Sequence, residues 1–308
     1  MEKNFKSLDE QIEILKSKGL IIEDNTLTRN ILLRENYFFL NGYRHLLMKS
    51  PKDRTFIEGS TFRELYSIFL FDRHLRNIMF KNLLIIENNL KSIFSYQLSK
   101  KYGYHEKDYL NTKNFTNDPT KTKKVKDLVN KMKRQISING SQHNATIHYI
   151  SKYGYVPLWV LVKVLSFGVI SDLYSILKPD DKVGIASIYN ISIENLESFL
   201  PILSNYRNLC AHEDILYDHK TDRSIANTSY HQRLNIARMD NEYIYGKNDI
   251  FAVVIIMKYL LTDEEFLDMM REIQYEIELL AGKMHSININ KILDRIGFPI
   301  NYMELTNL

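Results

Sequence analysis

Residues 61–102 read TFRELYSIFLFDRHLRNIMFKNLLIIENNLKSIFSYQLSKKY and carry a long pattern of helical spacing, which predicts one helix, or two separated by a break, ending before Gly103. The apolar side chains of this segment recur every three or four residues and so fall on one stripe. The members of the stripe are Leu75, Met79, Leu83, Ile86, Leu90 and Ile93. A helix of this length is not stable through propensity alone and needs partners along its apolar face. The segment therefore predicts a helical bundle, formed within one chain or between two.

The composition of the 308-residue chain agrees with an all-α fold. Chain breakers are few, with 11 Gly and 6 Pro, and strand-like alternation is weak throughout. A hydrophobic fraction of 44% is ordinary for a folded domain, so disorder is not expected. The single cysteine, Cys210, excludes an intramolecular disulfide and a four-cysteine zinc site.

Further helices are predicted before the long segment. Ser7 and Glu10 have the spacing of a capping box, and the helix that they open ends at Gly19. Residues 28–48 form a second helical region, which is followed by a loop over Pro51–Gly59.

Further helices are predicted after it, and the first of them covers Lys121–Ile138. Two more follow. One spans Pro157–Leu177, with a proline at its start and Pro179 after its end. The other begins near Ser192 and leads into residues 207–212. Because proline interrupts helical hydrogen bonding, Pro201 predicts a kink or a restart just before those residues.

Three regions follow from this organisation, and we expect them to form one unit. Residues 1–60 are an N-terminal helical region, residues 61–220 a helical core and residues 221–308 an acidic C-terminal helical region. The most apolar stretches, Leu158–Ile170 and Phe251–Leu261, are too short to span a membrane, and each contains a lysine. We therefore expect a cytoplasmic protein with no membrane partner.

The stretch Arg207-Asn208-Leu209-Cys210-Ala211-His212 is the part of the sequence most indicative of chemistry. Its residue types suit cleavage of RNA without a metal ion. Imidazole exchanges protons near neutral pH, because its reference pKa is about 6.5. A guanidinium group can stabilise the negative charge of a pentavalent phosphorane with several donors. Asn208 can orient the imidazole or donate to the phosphate.

A structural role fits the same six residues. Arg207 can pair with a carboxylate, and His212 can cap or pack a helix end. On an ideal helix Asn208 and His212 share a face, whereas Arg207 points well away from His212. Arg207 and His212 therefore converge only through a helix end, a bend or a second copy of the helix from a partner chain.

The six residues resemble the Arg-x4-His signature of HEPN domains, and the chain from about Ser7 to His212 resembles the Abi (abortive infection) family that includes AbiD and AbiF. The resemblance is carried by several segments in the same order. These are Ser7–Ile12 with Lys18-Gly19-Leu20, Tyr37–Arg44, Thr61-Phe62 with Leu65-Tyr66, Phe71–Arg76, Pro157–Val160 and Leu165–Gly168.

The resemblance implies a HEPN-type helical bundle with additional N- and C-terminal helices, present as a homodimer whose two motifs meet across the interface. It implies an antiphage role for a metal-independent endoribonuclease without a cofactor, with Arg207, Asn208 and His212 as catalytic residues. The expected products carry a 2′,3′-cyclic phosphate and a 5′-hydroxyl. The alternative is a non-catalytic protein that holds a small noncoding RNA or an antitoxin RNA.

The sequence also departs from the family. Many members continue after the histidine with basic or histidine-rich residues, whereas this chain has Glu213 and Asp214, which repel phosphate. Tyr217 is not placed as in the Arg-x4-His-x-Tyr variant that partner nucleotidyltransferases modify. These differences bear on the strength of catalysis and on its regulation rather than on the fold.

Three further groups are candidates for RNA contact, each with a structural alternative. A basic helix face can follow an RNA backbone or simply be solvated; its members are Lys121, Lys123, Lys124, Lys126, Lys131, Lys133 and Arg134. Asp72, Arg73 and Arg76 can act as accessory residues or form structural ion pairs. His148 and Tyr149 can stack on unpaired bases or pack against the core. Trp159 and Cys210 are expected to be core residues.

Overall fold

The computed structural model describes residues 4–50 and 54–308, most of which are helical. The α-helices, numbered along the chain, are α1 (Leu8–Ser17), α2 (Asn25–Glu35), α3 (Tyr37–Asn41), α4 (Phe62–Tyr102), α5 (Glu106–Tyr109), α6 (Thr122–Asn139), α7 (Asn144–Tyr153), α8 (Leu158–Val164), α9 (Phe167–Ile176), α10 (Pro179–Ala186), α11 (Ile193–Ala211), α12 (Ser229–Arg233), α13 (Ile250–Leu260), α14 (Asp263–Ala281) and α15 (Ile289–Ile296). Short 3₁₀ helices cover Arg44–Leu47, Thr112–Asn114, Pro119–Lys121, Ser187–Tyr189 and Tyr302–Asn307. The strands β1 (Arg238–Met239) and β2 (Glu242–Tyr243) form a two-residue antiparallel ladder. The predicted all-α class is confirmed.

Helix α4 is the predicted long helix, and it runs 41 residues without a break. Its first turn is closed by a capping box, in which the Thr61 hydroxyl accepts from the Glu64 N–H and the Glu64 carboxylate accepts from the Thr61 N–H. Gly103, with φ 94°, ends it. The predicted apolar stripe is buried, with Ile93 partly so. The predicted start, end and buried face are therefore confirmed.

The other helices surround α4. Helices α8, α10, α11, α13 and α14 all pack against it, and α9 packs on α11. The acidic helix α14 is joined to α4 by cross-helix pairs, with Glu272 Oε1 2.5 Å from Lys81 Nζ and Glu276 Oε2 2.9 Å from His74 Nδ1. Two acidic side chains of the C-terminal region thus pair with side chains of the central helix.

The N-terminal region is less continuous than the sequence predicts. The capping box between Ser7 and Glu10 is present at the start of α1. The region 28–48 is broken at Asn36, whose backbone is left-handed (φ 66°) and whose side chain accepts from the Phe38 N–H at 2.9 Å. An asparagine tolerates this conformation better than most residues do. The predicted helical region is therefore divided at Asn36 into α2, which ends at Glu35, and α3, which begins at Tyr37. In the predicted loop Pro51–Gly59, residues 51–53 lie outside the described residues and the remainder contains no helix.

The single helix predicted over Pro157–Leu177 is wrong, because two helices, α8 and α9, cover this range. The chain becomes extended at Leu165 (ψ 137°) and Ser166 (ψ 158°) between them. The bend lets both Leu165 and Phe167 be buried. It also brings α9 against α11 at Gly168, where a Cβ atom would lie 3.4 Å from the Ser204 hydroxyl.

Pro201 does not restart α11, which is continuous from Ile193 to Ala211. The side chains on both sides of the proline, including Phe199, Leu200 and Ile202, are buried. Their packing compensates for the hydrogen bond that proline cannot donate. Residues 207–212 therefore follow a part of α11 that is already fixed by its buried side chains.

The C-terminal region is attached to the start of α4. Glu64 Oε1 accepts from the N–H groups of His285 and Ser286, at 2.8 and 2.7 Å, and Glu64 lies 221 and 222 positions before them in sequence. Within residues 4–50 and 54–308, no helix is both long and apolar enough to cross a membrane.

Candidate functional site

Residues 207–212 form the end of α11, and the chain reverses directly after them. His212 is the C-cap residue, and its side chain is exposed. Glu213 has a left-handed backbone (φ 57°), while the N–H groups of Glu213 and Asp214 donate to carbonyl groups of the last helical turn. This pattern is the Schellman termination, in which glycine usually occupies the left-handed position. The helix end therefore presents His212 to solvent at a sharp turn.

Asp72 on α4 holds the segment that follows the turn. Its buried carboxylate accepts from the N–H groups of Leu216 and Tyr217, at 3.2 and 2.6 Å, and from the Tyr43 hydroxyl at 2.7 Å. The guanidinium of Arg76, also buried, pairs with the same carboxylate. Asp72 therefore joins α4 to Tyr43, just after α3, and to the chain after His212.

His212 lines a cleft of about 500 Å³ between α3, α4 and the turn after α11. Four arginine side chains line the same cleft, namely Arg34, Arg44, Arg73 and Arg76. Two of them form ion pairs with carboxylates of the protein: Arg76 pairs with Asp72, and Arg73 Nη2 lies 2.6 Å from Glu35 Oε2. The Glu35 carboxylate raises the pKa of Arg73 above its usual value. These pairs favour the structural interpretation of Asp72, Arg73 and Arg76.

The free positive charge of the cleft comes from Arg34 and Arg44. Among the described residues, no carboxylate lies within 4 Å of either guanidinium group. Arg34 is exposed, and Arg44 Nη1 donates to the Asn41 carbonyl at 3.2 Å. Glu213 also lines the cleft. Asp214, which is also exposed, lines the cleft as well. The surroundings of His212 therefore combine two cations that have no carboxylate partner with two exposed carboxylates.

Arg207 is held on a different side of α11. Its Nε donates to Glu87 Oε2 on α4 at 3.0 Å, and its guanidinium carbon lies 5.8 Å from the centroid of the Phe80 ring. The buried Glu87 carboxylate also accepts from Lys91 Nζ at 2.7 Å. Only the Nε of Arg207 is bonded, and its side chain remains 29% exposed. In the described part of the chain its two Nη groups have no hydrogen-bond partner, so they can still donate to a phosphate.

One protomer does not bring Arg207 and His212 together. Five residues along a helix correspond to a rotation of about 140°, and Arg207 is not among the residues that line the cleft. Asn208 is exposed, and its amide makes no side-chain hydrogen bond to the residues that the structure describes. The motif therefore offers three accessible polar groups on neighbouring surfaces rather than one assembled centre.

The predicted basic residues lie on and next to α6. Lys121 is in the preceding 3₁₀ helix, where its Nζ donates to the Ser175 carbonyl at 3.1 Å, and Lys124 Nζ lies 2.8 Å from Asp172 Oδ1. The other five are exposed, and no described carboxylate pairs with them; they are Lys123, Lys126, Lys131, Lys133 and Arg134. This basic face is therefore free to contact a polyanion.

Exposed aromatic rings adjoin the basic helix through α7 and α8, which both pack on α6. The exposed His148 ring lies 5.7 Å from the half-buried Tyr149 ring and 5.9 Å from Tyr153. The prediction that Trp159 is a core residue is wrong: it is 44% exposed, with its ring 6.2 Å from that of Tyr104. Helix α8 turns its aliphatic residues inward and leaves this ring on the surface.

Cys210 is buried, as predicted, and burial raises the pKa of its thiol to about 12. A thiol of this kind is a packing group and not a nucleophile. In residues 4–50 and 54–308, no three His, Cys, Asp or Glu side chains are grouped so that they could hold a metal ion.

Sequence reasoning missed Arg34, Arg44 and Glu87. Arg34 lies just before the segment Tyr37–Arg44 and Arg44 ends it, and the aromatic residues are the most prominent feature of that segment. An arginine on each side of exposed Phe38 and Phe39 was a usable signal. Glu87 carried no signal, because its partner Arg207 is 120 positions away in sequence.

Comparison with known proteins gives one match. A family model described as Abi-like protein matches residues 30–218, which is more than half of the chain. The matched range contains the cleft arginines, α4, the basic helix α6 and the motif at the end of α11. No curated protein and no solved structure matches the chain.

Proposed function

Because the chain belongs to the Abi-like protein family, we propose that it acts in abortive infection as an endoribonuclease that cleaves RNA without a metal ion. Family membership supports the abortive-infection role. The observation that supports RNA cleavage is the exposed imidazole of His212 in a cleft beside the unpaired guanidinium groups of Arg34 and Arg44. A phosphodiester held by these cations lies within reach of a proton-transfer group.

The proposed reaction uses the 2′-hydroxyl of the RNA as the nucleophile. The neutral imidazole of His212 accepts the 2′-hydroxyl proton, and the 2′-oxygen forms a bond to phosphorus. The bond between phosphorus and the 5′-oxygen then breaks, and a protonated imidazole donates to that oxygen. The Nη groups of Arg207 stabilise the charge of the phosphorane. The products are a 2′,3′-cyclic phosphate and a 5′-hydroxyl, with no net change in protons.

Two protomers are part of this proposal. Arg207 and His212 of one chain lie on different sides of α11, and two histidines are needed if one takes a proton while another donates one. A symmetric dimer that pairs the ends of the two α11 helices supplies the second copy of each group. Because the side chains of Arg207, Asn208 and His212 are all at least partly exposed at the end of α11, the surface of one protomer is compatible with such pairing.

A non-catalytic RNA-binding protein is the second candidate, and Glu87 is the observation that favours it. The Glu87 carboxylate neutralises part of the Arg207 charge, and Glu213 stands beside His212. Both acids weaken the stabilisation of a phosphorane, yet they leave the basic face of α6 able to hold RNA. The experiments below separate the two candidates.

The decisive experiment is cleavage of RNA in EDTA. We expect the purified protein to cut total RNA, and then a mapped oligonucleotide, with the same products in EDTA and in Mg²⁺. One 2′-deoxy nucleotide at the cleavage site should abolish cutting there, because it removes the nucleophile. Mass spectrometry of the ends should show the 2′,3′-cyclic phosphate.

The matched control is the same oligonucleotide with the 2′-deoxy nucleotide three positions away, which should be cut normally. Cutting that stops in EDTA, or that persists at the deoxy position, would exclude the proposed chemistry. Copurified RNA without any cutting would favour the second candidate.

The basic face of α6 gives a separate prediction for binding. Replacing Lys123, Lys126 and Lys133 by Gln should weaken RNA binding and reduce the slope of log affinity against log salt by up to about 2, since each single-stranded phosphate contact contributes roughly 0.7. The measurement is fluorescence anisotropy of a labelled 2′-O-methyl oligonucleotide at several salt concentrations.

The control for α6 is a triple Gln variant of other exposed lysines, Lys16, Lys107 and Lys220. It changes the net charge equally but leaves α6 intact. Equal effects of the two triple variants would mean that α6 contributes only its overall charge and does not contact the RNA.

A further inference from the structure

A second cavity, of about 730 Å³, lies on the other side of α3 from the His212 cleft. It is bounded by α1, α3 and the 3₁₀ helix at Arg44–Leu47. Phe38, Asn41 and Arg44 line both cavities, so the two are neighbours with a shared wall. Neither the motif nor the basic helix α6 contributes to this cavity.

Positive charge is concentrated in the second cavity. Lys18, Arg44 and Arg54 all line it, and no carboxylate of the described residues lies within 4 Å of any of the three. Burial and the nearby charges of Arg44 and Arg54 lower the pKa of Lys18. Three like charges at one place are unfavourable by themselves and are relieved by a bound anion.

Two side-chain amide oxygens of the lining also lack a hydrogen-bond donor. The Gln11 Oε1 and Asn41 Oδ1 atoms are buried, and neither accepts a hydrogen bond within the described part of the chain. A buried acceptor without a donor is unfavourable, and a donor supplied by a ligand relieves this cost. A small change of side-chain torsion would direct either oxygen to a donor in the cavity, such as a base amino group or a ribose hydroxyl.

Aromatic surface completes the lining. Tyr37 is half-buried, and Phe38 is 75% exposed. The left-handed Asn36 makes α3 start at Tyr37, and this start keeps Phe38 on the surface, where its ring contacts Phe39 edge-on at 6.0 Å. An exposed planar ring beside cations is the combination that single-stranded nucleic-acid sites use for base stacking and backbone contact.

We propose that this cavity binds a nucleotide through its 5′-phosphate, with Lys18, Arg44 and Arg54 on the phosphate and Phe38 against the base. The choice of a nucleotide among anions rests on the proposed action on RNA. Because Arg44 also lines the His212 cleft, a nucleotide seated here places the next phosphate of an RNA strand towards His212. The cavity then selects where an unpaired strand is cut.

The test is calorimetric titration of the whole protein with three probes: adenosine 5′-monophosphate, adenosine and a 5′-phosphorylated 2′-O-methyl trinucleotide, which cannot be cleaved. Adenosine should bind at least roughly tenfold more weakly than its monophosphate. Lys18→Gln and Arg54→Gln should each weaken the monophosphate roughly tenfold, the size expected when one charged hydrogen bond is lost.

Lys16→Gln is the matched control, since Lys16 lies on the same helix but is exposed and paired with Glu13. It should leave the affinity unchanged. Because the three cations repel one another, Lys18→Gln and Arg54→Gln should not lower the Tm, which separates lost binding from lost folding.

The probes also identify the source of the nucleotide. A trinucleotide that binds at least as tightly as the monophosphate, and weakens in the same two variants, indicates a residue of an RNA strand. A monophosphate that binds while the trinucleotide does not indicates a free nucleotide. Equal affinity for adenosine and its monophosphate, no binding of any probe, or no effect of both substitutions would overturn the proposal. Since no probe is cleaved, a protein without nuclease activity would still give a clear answer.

Discussion

Replacing Asp72 by alanine should lower the free energy of unfolding by about 3–5 kcal/mol, the usual cost of removing one partner of a buried ion pair. The carboxylate is fully buried and pairs with the buried Arg76. Without the Asp72 carboxylate, the buried positive charge of Arg76 has no partner of opposite charge. The substitution also leaves the N–H groups of Leu216 and Tyr217 and the Tyr43 hydroxyl without their acceptor.

Urea unfolding followed by circular dichroism measures this effect. Asp9→Ala is the matched control, because Asp9 also pairs with an arginine, Arg29, but both side chains are exposed. It should cost no more than about 1 kcal/mol. If Asp72→Ala were as mild as Asp9→Ala, the carboxylate would not anchor the chain after the motif.

His212→Ala and Arg207→Ala should each lower the rate of RNA cleavage by roughly 10²- to 10⁴-fold. The first removes the proton-transfer group, and the second removes donors to the phosphorane. Neither should unfold the protein. His212 is exposed, and without Arg207 the Glu87 carboxylate still has Lys91 as its partner.

Single-turnover cleavage in EDTA gives the rate, and the Tm checks the fold. His45→Ala and Arg29→Ala are suitable controls, since both side chains are exposed and neither lines the cleft. Wild-type rates in both motif variants would leave RNA binding as the better candidate. A mixture of the two inactive variants should recover part of the activity if protomers share the site, and none if each chain acts alone.

The fold class was predictable because its signals are local. The apolar spacing along α4, its end at Gly103 and the capping box at Ser7 depend on residues within a few turns of one another. Helical periodicity reports which side of a segment is apolar, and the bundle follows from the need to cover that side. The all-α fold could therefore be predicted without any comparison.

The interruptions of helices were harder to predict, because tertiary packing decides them. The bend between α8 and α9 exists so that Leu165 and Phe167 can both be buried, which a helical pattern cannot show. Pro201 remains inside α11 because the neighbouring side chains of Phe199, Leu200 and Ile202 are packed in the core. Trp159 is likewise a predicted core residue whose position on α8 faces solvent, because the packing of α8 decides which of its sides is buried.

The candidate site was predictable only as far as the motif. Residues 207–212 give three chemical groups and the geometric reason why one chain does not assemble them. The cleft, by contrast, is built from α2, α3 and α4, and its free cations Arg34 and Arg44 come from a segment about 170 positions earlier. Contacts between residues so far apart in sequence cannot be recognised from the local spacing of residue types.

Because Asp72 holds residues 216 and 217, these contacts also determine the stage of translation at which the cleft can form. The two hydrogen bonds span 144 and 145 positions, so the loop that they close is still incomplete while the ribosome is translating α11. Residues 285 and 286, which tie down the start of α4, emerge later still. The cleft is therefore completed only at a late stage of translation, and a polypeptide released before residue 217 lacks the hydrogen bonds that hold the turn beside His212.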